Sequence, residues 1–185
     1  MKKLLLSLVM ISLLSEITFS QEKVENQGFK GAWWGLMSAS YNKTEGSAAV
    51  YTILPAVGTF VSADVTIGAA LGYTNALSQD VFIVKPLARK YFGVSDKFFL
   101  FIEGNVPLLF GENFNAYGFN IEPGIDYFIG GKWTIEAKFG RFGYNVFNPD
   151  GGSSVGTTTF GFNMFDSQTQ EGLGAGLSFG LKYLF

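Results

Sequence analysis

Leu173-Gly-Ala-Gly-Leu-Ser-Phe-Gly-Leu-Lys-Tyr-Leu-Phe185 alternates along its whole length. The odd positions are apolar (Leu173, Ala175, Leu177, Phe179, Leu181, Tyr183, Phe185), and the even ones read Gly174, Gly176, Ser178, Gly180, Lys182 and Leu184. Successive side chains of a strand point to opposite faces, so this period of two describes a strand with one greasy face and one small or polar face. A soluble sandwich would turn the greasy face to a second sheet, and nothing there would favour an aromatic last residue. A transmembrane β-barrel uses both features, because its outer face meets lipid and its inner face meets polar side chains.

Working outward, the other end of the chain agrees. Lys2 and Lys3 precede an apolar stretch from Leu4 to Leu14, and Thr18-Phe19-Ser20 offers small residues where a signal peptidase reads. This pattern predicts a signal peptide over residues 1–20, cut after Ser20. The apolar run is shorter than the roughly 18 residues of a spanning helix, which argues against a membrane anchor. Residues 21–30 are expected to be a short periplasmic segment and 31–185 the barrel domain, with no soluble domain after Phe185. The chain contains no Cys, so neither lipoprotein processing nor a disulfide is expected.

Composition restricts the class further. Hydrophobic residues make up 48% of the chain and aromatics 17%, yet no apolar run after residue 20 is long enough to cross as a helix. The apolar content must therefore be spread over alternating strands. The formal charge is −2 and dispersed, without the basic stripe that nucleic-acid binding requires.

Three tight turns, Ser62-Ala63-Asp64, Ser95-Asp96-Lys97 and Gly130-Gly131-Lys132, recur at 33 and 35 residues. That interval fits two strands and a loop. Longer polar breaks lie between them, at Asn42 to Ser47, Asn75 to Asp80, Gly111 to Asn115 and Phe147 to Glu171. Three turns and four loops join eight strands: Gly31–Tyr41, Ala48–Val61, Val65–Thr74, Val81–Gly93, Phe98–Phe110, Ala116–Ile129, Trp133–Val146 and Gly172–Phe185. The expected fold is all-β, an eight-stranded antiparallel transmembrane barrel. On the sixth strand Phe119, Ile121, Pro123, Ile125, Tyr127 and Ile129 should face lipid. On the seventh, Trp133, Ile135, Ala137 and Phe139 should do so. The first strand gives no clear faces. Aromatic residues gather near the turns (Phe92, Tyr127, Trp133, Tyr183, Phe185) and near the loops (Tyr41, Tyr51, Tyr73, Tyr117, Tyr144), as interfacial girdles do.

Pro55-Ala-Val-Gly-Thr-Phe60, Pro86-Leu-Ala-Arg-Lys-Tyr-Phe92 and Pro123-Gly-Ile-Asp-Tyr-Phe128 each lead into a tight turn. With the closing Gly180-Leu-Lys-Tyr-Leu-Phe185 they resemble the small eight-stranded outer-membrane β-barrel proteins common in Bacteroidota, related in architecture to the OmpA/OmpX type. The resemblance covers nearly the whole mature chain and implies an integral bacterial outer-membrane location, with both termini in the periplasm. It also implies that Leu177, Phe179, Leu181, Tyr183 and Phe185 form the signal read by the barrel-assembly machinery. Most members of that family have no assigned biochemistry, so no activity follows from it.

The inward positions hold Lys85, Arg89, Glu103, Glu122, Asp126, Glu136, Lys138 and Lys182, four basic and four acidic. An eight-stranded barrel is just wide enough for side chains to fill, so these groups are expected to pair as a plug across the lumen. The alternative is a narrow porin-like path for ions or small hydrophobic compounds. No enzyme activity, metal or cofactor is expected. Outer-membrane barrels that act on lipids or peptides depend on a catalytic His, and this chain has neither His nor Cys to serve as general base and nucleophile. What remains is the surface. Asn148-Pro-Asp-Gly-Gly152 is a turn followed by an alternating segment that would raise Phe160, Phe162 and Met164 above the membrane. Arg141 is expected at the outer rim of the seventh strand, where such a side chain more often snorkels to the interface than meets lipopolysaccharide phosphates. The function so implied is a structural or surface-binding role through external loops. Partners would be outer-membrane lipid and lipopolysaccharide, with an unknown extracellular ligand and no nucleic acid, and the protein is expected to be monomeric.

Overall fold

The computed structural model describes residues 29–42, 50–76, 79–161 and 178–185. The expected signal peptide, most of the segment 21–30, residues 43–49 of the first loop, Phe162, Met164 and Leu177 lie outside the described residues, as does the start of the last strand at Gly172. Eleven strands are described: β1 (Trp33–Asn42), β2 (Val50–Phe60), β3 (Val65–Ala76), β4 (Gln79–Gly93), β5 (Phe98–Asn105), β6 (Leu108–Phe110), β7 (Phe114–Gly130), β8 (Trp133–Lys138), β9 (Arg141–Pro149), β10 (Val155–Gly161) and β11 (Ser178–Leu184). All pairings are antiparallel. They run from β7 through β5, β4, β3, β2, β1, β11 and β8 back to β7, so the sheet closes on itself. β5 and β6 are two pieces of one barrel strand, since both pair with β4 and β7. The ring therefore has the expected eight strands.

The three tight turns stand where the sequence places them. Gly130 and Gly131 both have positive φ (153° and 55°), a conformation that side chains disfavour, which is why two glycines stand at that corner. Alternation sorts the faces. Val57, Ile67, Leu71, Phe82, Ile102, Phe119, Ile121, Ile135 and Leu181 are exposed on the outside, a continuous apolar band. The band also settles β1, where Trp34 and Leu36 point in and Trp33 and Met37 point out.

Two expected strands are interrupted, and both interruptions face a proline. In the register Val106 falls opposite Pro86 and Phe139 opposite Pro123. A proline has no N–H to donate, so the neighbouring strand loses one rung of its ladder there. Val106 and Phe139 instead donate to the carbonyls of Pro86 (3.1 Å) and Pro123 (3.2 Å). At Val106 the register continues unchanged. At Phe139 it does not: Lys138 stands opposite Gly124 and Phe142 opposite Ile121, four steps on one strand against three on the other. One extra residue in a strand exchanges its faces. Beyond Gly140 the inward residues are thus Arg141 and Asn145, while Tyr144 faces out.

The loops also differ from expectation. Asn75 and Asp80 are paired with each other as ladder residues, and only 77–78 separate β3 from β4. Only Gly111 to Asn113 separate β6 from β7, closed by a bond from Gly111 N to Phe114 O (2.9 Å). The expected long loop from Phe147 begins as a hairpin, in which β10 returns along β9 from Val155 opposite Phe147 to Gly161 opposite Arg141. β7 has 17 residues where about 9–11 suffice to cross a membrane. Its Phe114 end, with the tip of the β9–β10 hairpin beside it, therefore stands beyond the apolar band, while the base of that hairpin is level with Phe119 and Ile121.

Candidate functional site

The interior is filled in three levels. At the end where the chain enters β1, Trp34, Leu36, Phe60, Leu87, Tyr91, Phe101 and Leu184 form one buried cluster, with Phe29, Phe99 and Phe128 packed below it. Trp34 is accommodated because its neighbours are glycines. A Cβ on Gly58 would clash with the indole ring, and one on Gly68 would touch it. The indole Nε1 donates to Thr66 Oγ1 (2.5 Å), whose hydroxyl donates to Thr59 O (2.8 Å). At the opposite end Val81, Ile83, Leu109, Phe114 and Ala116 form a second apolar cluster, against which Leu54 and Phe147 pack.

Between these two layers lies a belt of charge. Arg89, on β4, is fully enclosed and binds two carboxylates. Its Nε donates to Glu103 Oε2 at 2.6 Å, and Nη1 and Nη2 donate to the two oxygens of Glu136 at 2.5 and 3.1 Å. Its guanidinium carbon lies 5.1 Å from the Trp34 ring centre and 4.9 Å from that of Phe101, so aromatic faces cover what the carboxylates leave bare. Lys138, on β8, donates to Glu103 Oε1 (2.8 Å) and Glu122 Oε2 (3.1 Å). Lys85 stands 3.4 and 4.0 Å from the same two oxygens. Asn105 Nδ2 adds a bond to Glu103 Oε1 (2.9 Å). Towards the chain-entry end, Lys182 pairs with Asp126 and also donates to the Tyr91 hydroxyl (3.2 Å). The Arg89 guanidinium donates to the same hydroxyl (3.4 Å), so Tyr91 joins the two parts of the belt. Asn120 and Asn145 exchange amide bonds across β7 and β9 (3.1 and 3.4 Å).

All eight side chains expected inside are therefore brought into this one network. Arg141 is not at the rim. Its Nε donates to Glu122 Oε1 at 2.8 Å. The extra residue opposite Pro123 turns it inward, and a proline alone does not announce such an insertion, since Pro86 faces Val106 with the register unchanged. Alternation puts Asn120 on the inner face with Glu122 and Asp126, as found, but sequence reading missed Tyr91, Asn105 and Asn145, which are buried partners without charge. Among the described residues, five basic side chains meet four acidic ones. Isolated charges in such an interior would be prohibitive, and the pairing and hydrogen bonding offset the cost of removing them from water. Asp126 Oδ1, Asn105 Oδ1 and Thr134 Oγ1 are buried without a protein partner.

On the outside, Phe160 is 85% exposed and meets Phe142 edge-on at 5.0 Å. Phe142 is level with Ile121, so Phe160 sits at the base of the hairpin and not at its tip. Phe179, Leu181 and Phe185 are exposed on the outer face of β11 and just past its end, where Tyr183 contacts Trp133 (4.8 Å) and Phe185 (5.2 Å). At the other end Tyr51 and Tyr73 lie 6.0 Å apart.

Two solved structures share this backbone fold over most of the chain. The N-terminal β-barrel domain of Pseudomonas aeruginosa OprF aligns with a TM-score of 0.51 at 12% identity, covering 86% of this chain and 100% of that one. A de novo designed transmembrane β-barrel aligns with a TM-score of 0.50 at 9% identity, covering 87% and 99%. The fold is that of an integral outer-membrane β-barrel. The outer membrane protein AlkL, in lipid bilayers, aligns at a TM-score of 0.42 and 11% identity over 87% of this chain and 93% of that one. No family model matches the chain. No curated protein matches it either. In an outer-membrane barrel the apolar band lies in the bilayer, the three tight turns face the periplasm, and the β9–β10 hairpin faces outward. The charged belt then lies within the thickness of the membrane, with an apolar layer on either side.

Proposed function

We propose that this outer-membrane barrel is sealed and acts through its outer surface, in a structural or surface-binding role. The observation that carries the reading is the layered interior, in which five cations and four carboxylates interlock between two apolar clusters. Water and ions crossing such a lumen would have to separate paired charges and then wet two apolar layers, each an energetic barrier.

In this reading residues 1–20 are a cleaved signal peptide, 21–30 a periplasmic segment and the remainder one barrel, of the type common in Bacteroidota and monomeric. Phe179, Leu181, Tyr183 and Phe185, with Leu177, are offered to the barrel-assembly machinery. The outward band meets outer-membrane lipid and lipopolysaccharide. An extracellular ligand would meet the tip of the β9–β10 hairpin, Asp150 to Thr157, and the chain that follows β10 with Phe162 and Met164; Phe160, level with the lipid-facing Ile121, lies too low for it. The protein is no enzyme, since a chain without His or Cys lacks the usual base and thiol nucleophile.

Liposome swelling tests the sealed state. Vesicles carrying the refolded protein should swell in arabinose no faster than protein-free vesicles, whereas rapid swelling would favour the narrow transporter.

A further inference from the structure

Phe29 precedes β1 and belongs to no strand, yet its ring fills the periplasmic mouth of the barrel. It stacks on Phe128 (centroids 5.9 Å apart, planes within 9°), tilts against Phe60 at 5.2 Å and meets Phe99 edge-on at 6.1 Å. These are the separations and orientations that aromatic pairs prefer. The three surrounding rings are fixed without it. They come from β2, β5 and β7, Phe99 touches Phe128 at 5.7 Å, and Phe60 leans on Tyr91, which leans on Phe101. The attachment of Phe29 is slight by comparison. Gly31 donates to Phe60 O (2.8 Å), Phe60 donates to Ala32 O (2.9 Å), and Ala32 donates back to Phe29 O (2.8 Å). Gly31 has a φ of 86°, a turn that a residue with a side chain rarely makes.

We propose that the periplasmic mouth is a binding site for a single phenyl ring, occupied in cis by Phe29, and that it accepts a small neutral aromatic compound once that ring is removed. The walls belong to a closed sheet and cannot collapse far into a vacated space. Phe99 and Phe128 are half-buried, so the space opens to the periplasm on one side, and a benzene-sized guest can enter and restore the ring contacts that Phe29 makes. The three rings that line it carry no charge, so the guest is neutral. The site does not depend on whether the lumen conducts.

The test is binding of 4-fluorophenol to the full barrel in detergent micelles, followed by fluorine NMR. Phe29→Ala should show a saturable bound component of one guest per barrel, above the linear partition into micelles. Wild type should show partition alone, because its own ring holds the site. Only linear partition in a Phe29→Ala barrel that still runs as the folded species on an unboiled gel would overturn the proposal. Saturable binding of equal strength in wild type would overturn it too, by placing the site elsewhere. Should Phe29→Ala fail to refold, Phe29→Gly takes its place, since glycine also vacates the space of the ring. It should bind at least tenfold more tightly than wild type, and equal behaviour would refute the site.

Discussion

The closed barrel and the β9–β10 hairpin are built from the same alternation but are held in different ways. In the barrel every inward residue of β4 touches another strand's side chain, from Val81 through Arg89 to Tyr91. In the hairpin, Gly151, Gly152, Ser153, Ser154, Val155, Gly156, Thr157 and Thr158 are all exposed. Its turn is fastened by Asp150 N to Asn113 O (2.8 Å), with Gly151 at a φ of 75°. The contrast separates the part of the chain that must be as it is to fold from the part left open to change. A surface that meets partners belongs in the second class.

Substitutions should sharpen that division, beginning where the largest loss is expected. Arg89→Ala would strand Glu103 and Glu136 inside the barrel and should cost about 3–5 kcal/mol in denaturant refolding, the range for breaking a buried pair. Thr157→Ala in the hairpin should stay within about 0.5 kcal/mol. Equal losses would erase the distinction. Leu71→Arg, at mid-height on the outer face of β3, should cost about 2–4 kcal/mol by placing a charge in hydrocarbon.

A smaller effect is expected from glycines. Gly58→Ala would press a methyl group into Trp34 and the Ile67 carbonyl, and overpacking of that kind costs about 1–3 kcal/mol. Gly104→Ala should be neutral or slightly stabilising, since nothing lies within 4 Å of the new carbon.

The smallest effect concerns pH. Lys90 donates to Asp64 at the periplasmic turn and holds its carboxyl below the usual carboxylate range. A lowered folded pKa contributes stability that is complete above about pH 4 and lost as the pH falls through the folded value. The pair is half-exposed, so wild type should lose slightly more stability than Asp64→Asn between about pH 5 and pH 2, read from urea midpoints.

Much of this was legible beforehand because a period of two fixes both the strand and its faces. The outward row on β7 and the eight interior charges follow from counting residues alone. Counting fails where a residue is inserted. Arg141 was misplaced because the extra residue near Gly140 answers a proline on the adjacent strand, and adjacency is not visible along the chain. The breaks at Asn75 to Asp80 and Gly111 to Asn115 read as loops because polar residues favour turns, whereas here strand pairing runs into both segments. The uncharged lumen partners escaped for another reason: an Asn or Tyr on an inward row reads as filler until the carboxylate or amide it serves is known.

The central claim is that interlocked side chains close the lumen, and single-channel recording in planar bilayers tests it most directly. Wild type should show little steady conductance. Combined Glu103→Ala, Glu136→Ala, Lys138→Ala should leak, because eight strands leave a path only where side chains are removed. A wild type that already conducts steadily, with ion selectivity altered by the triple variant, would contradict the account and make the barrel a transporter.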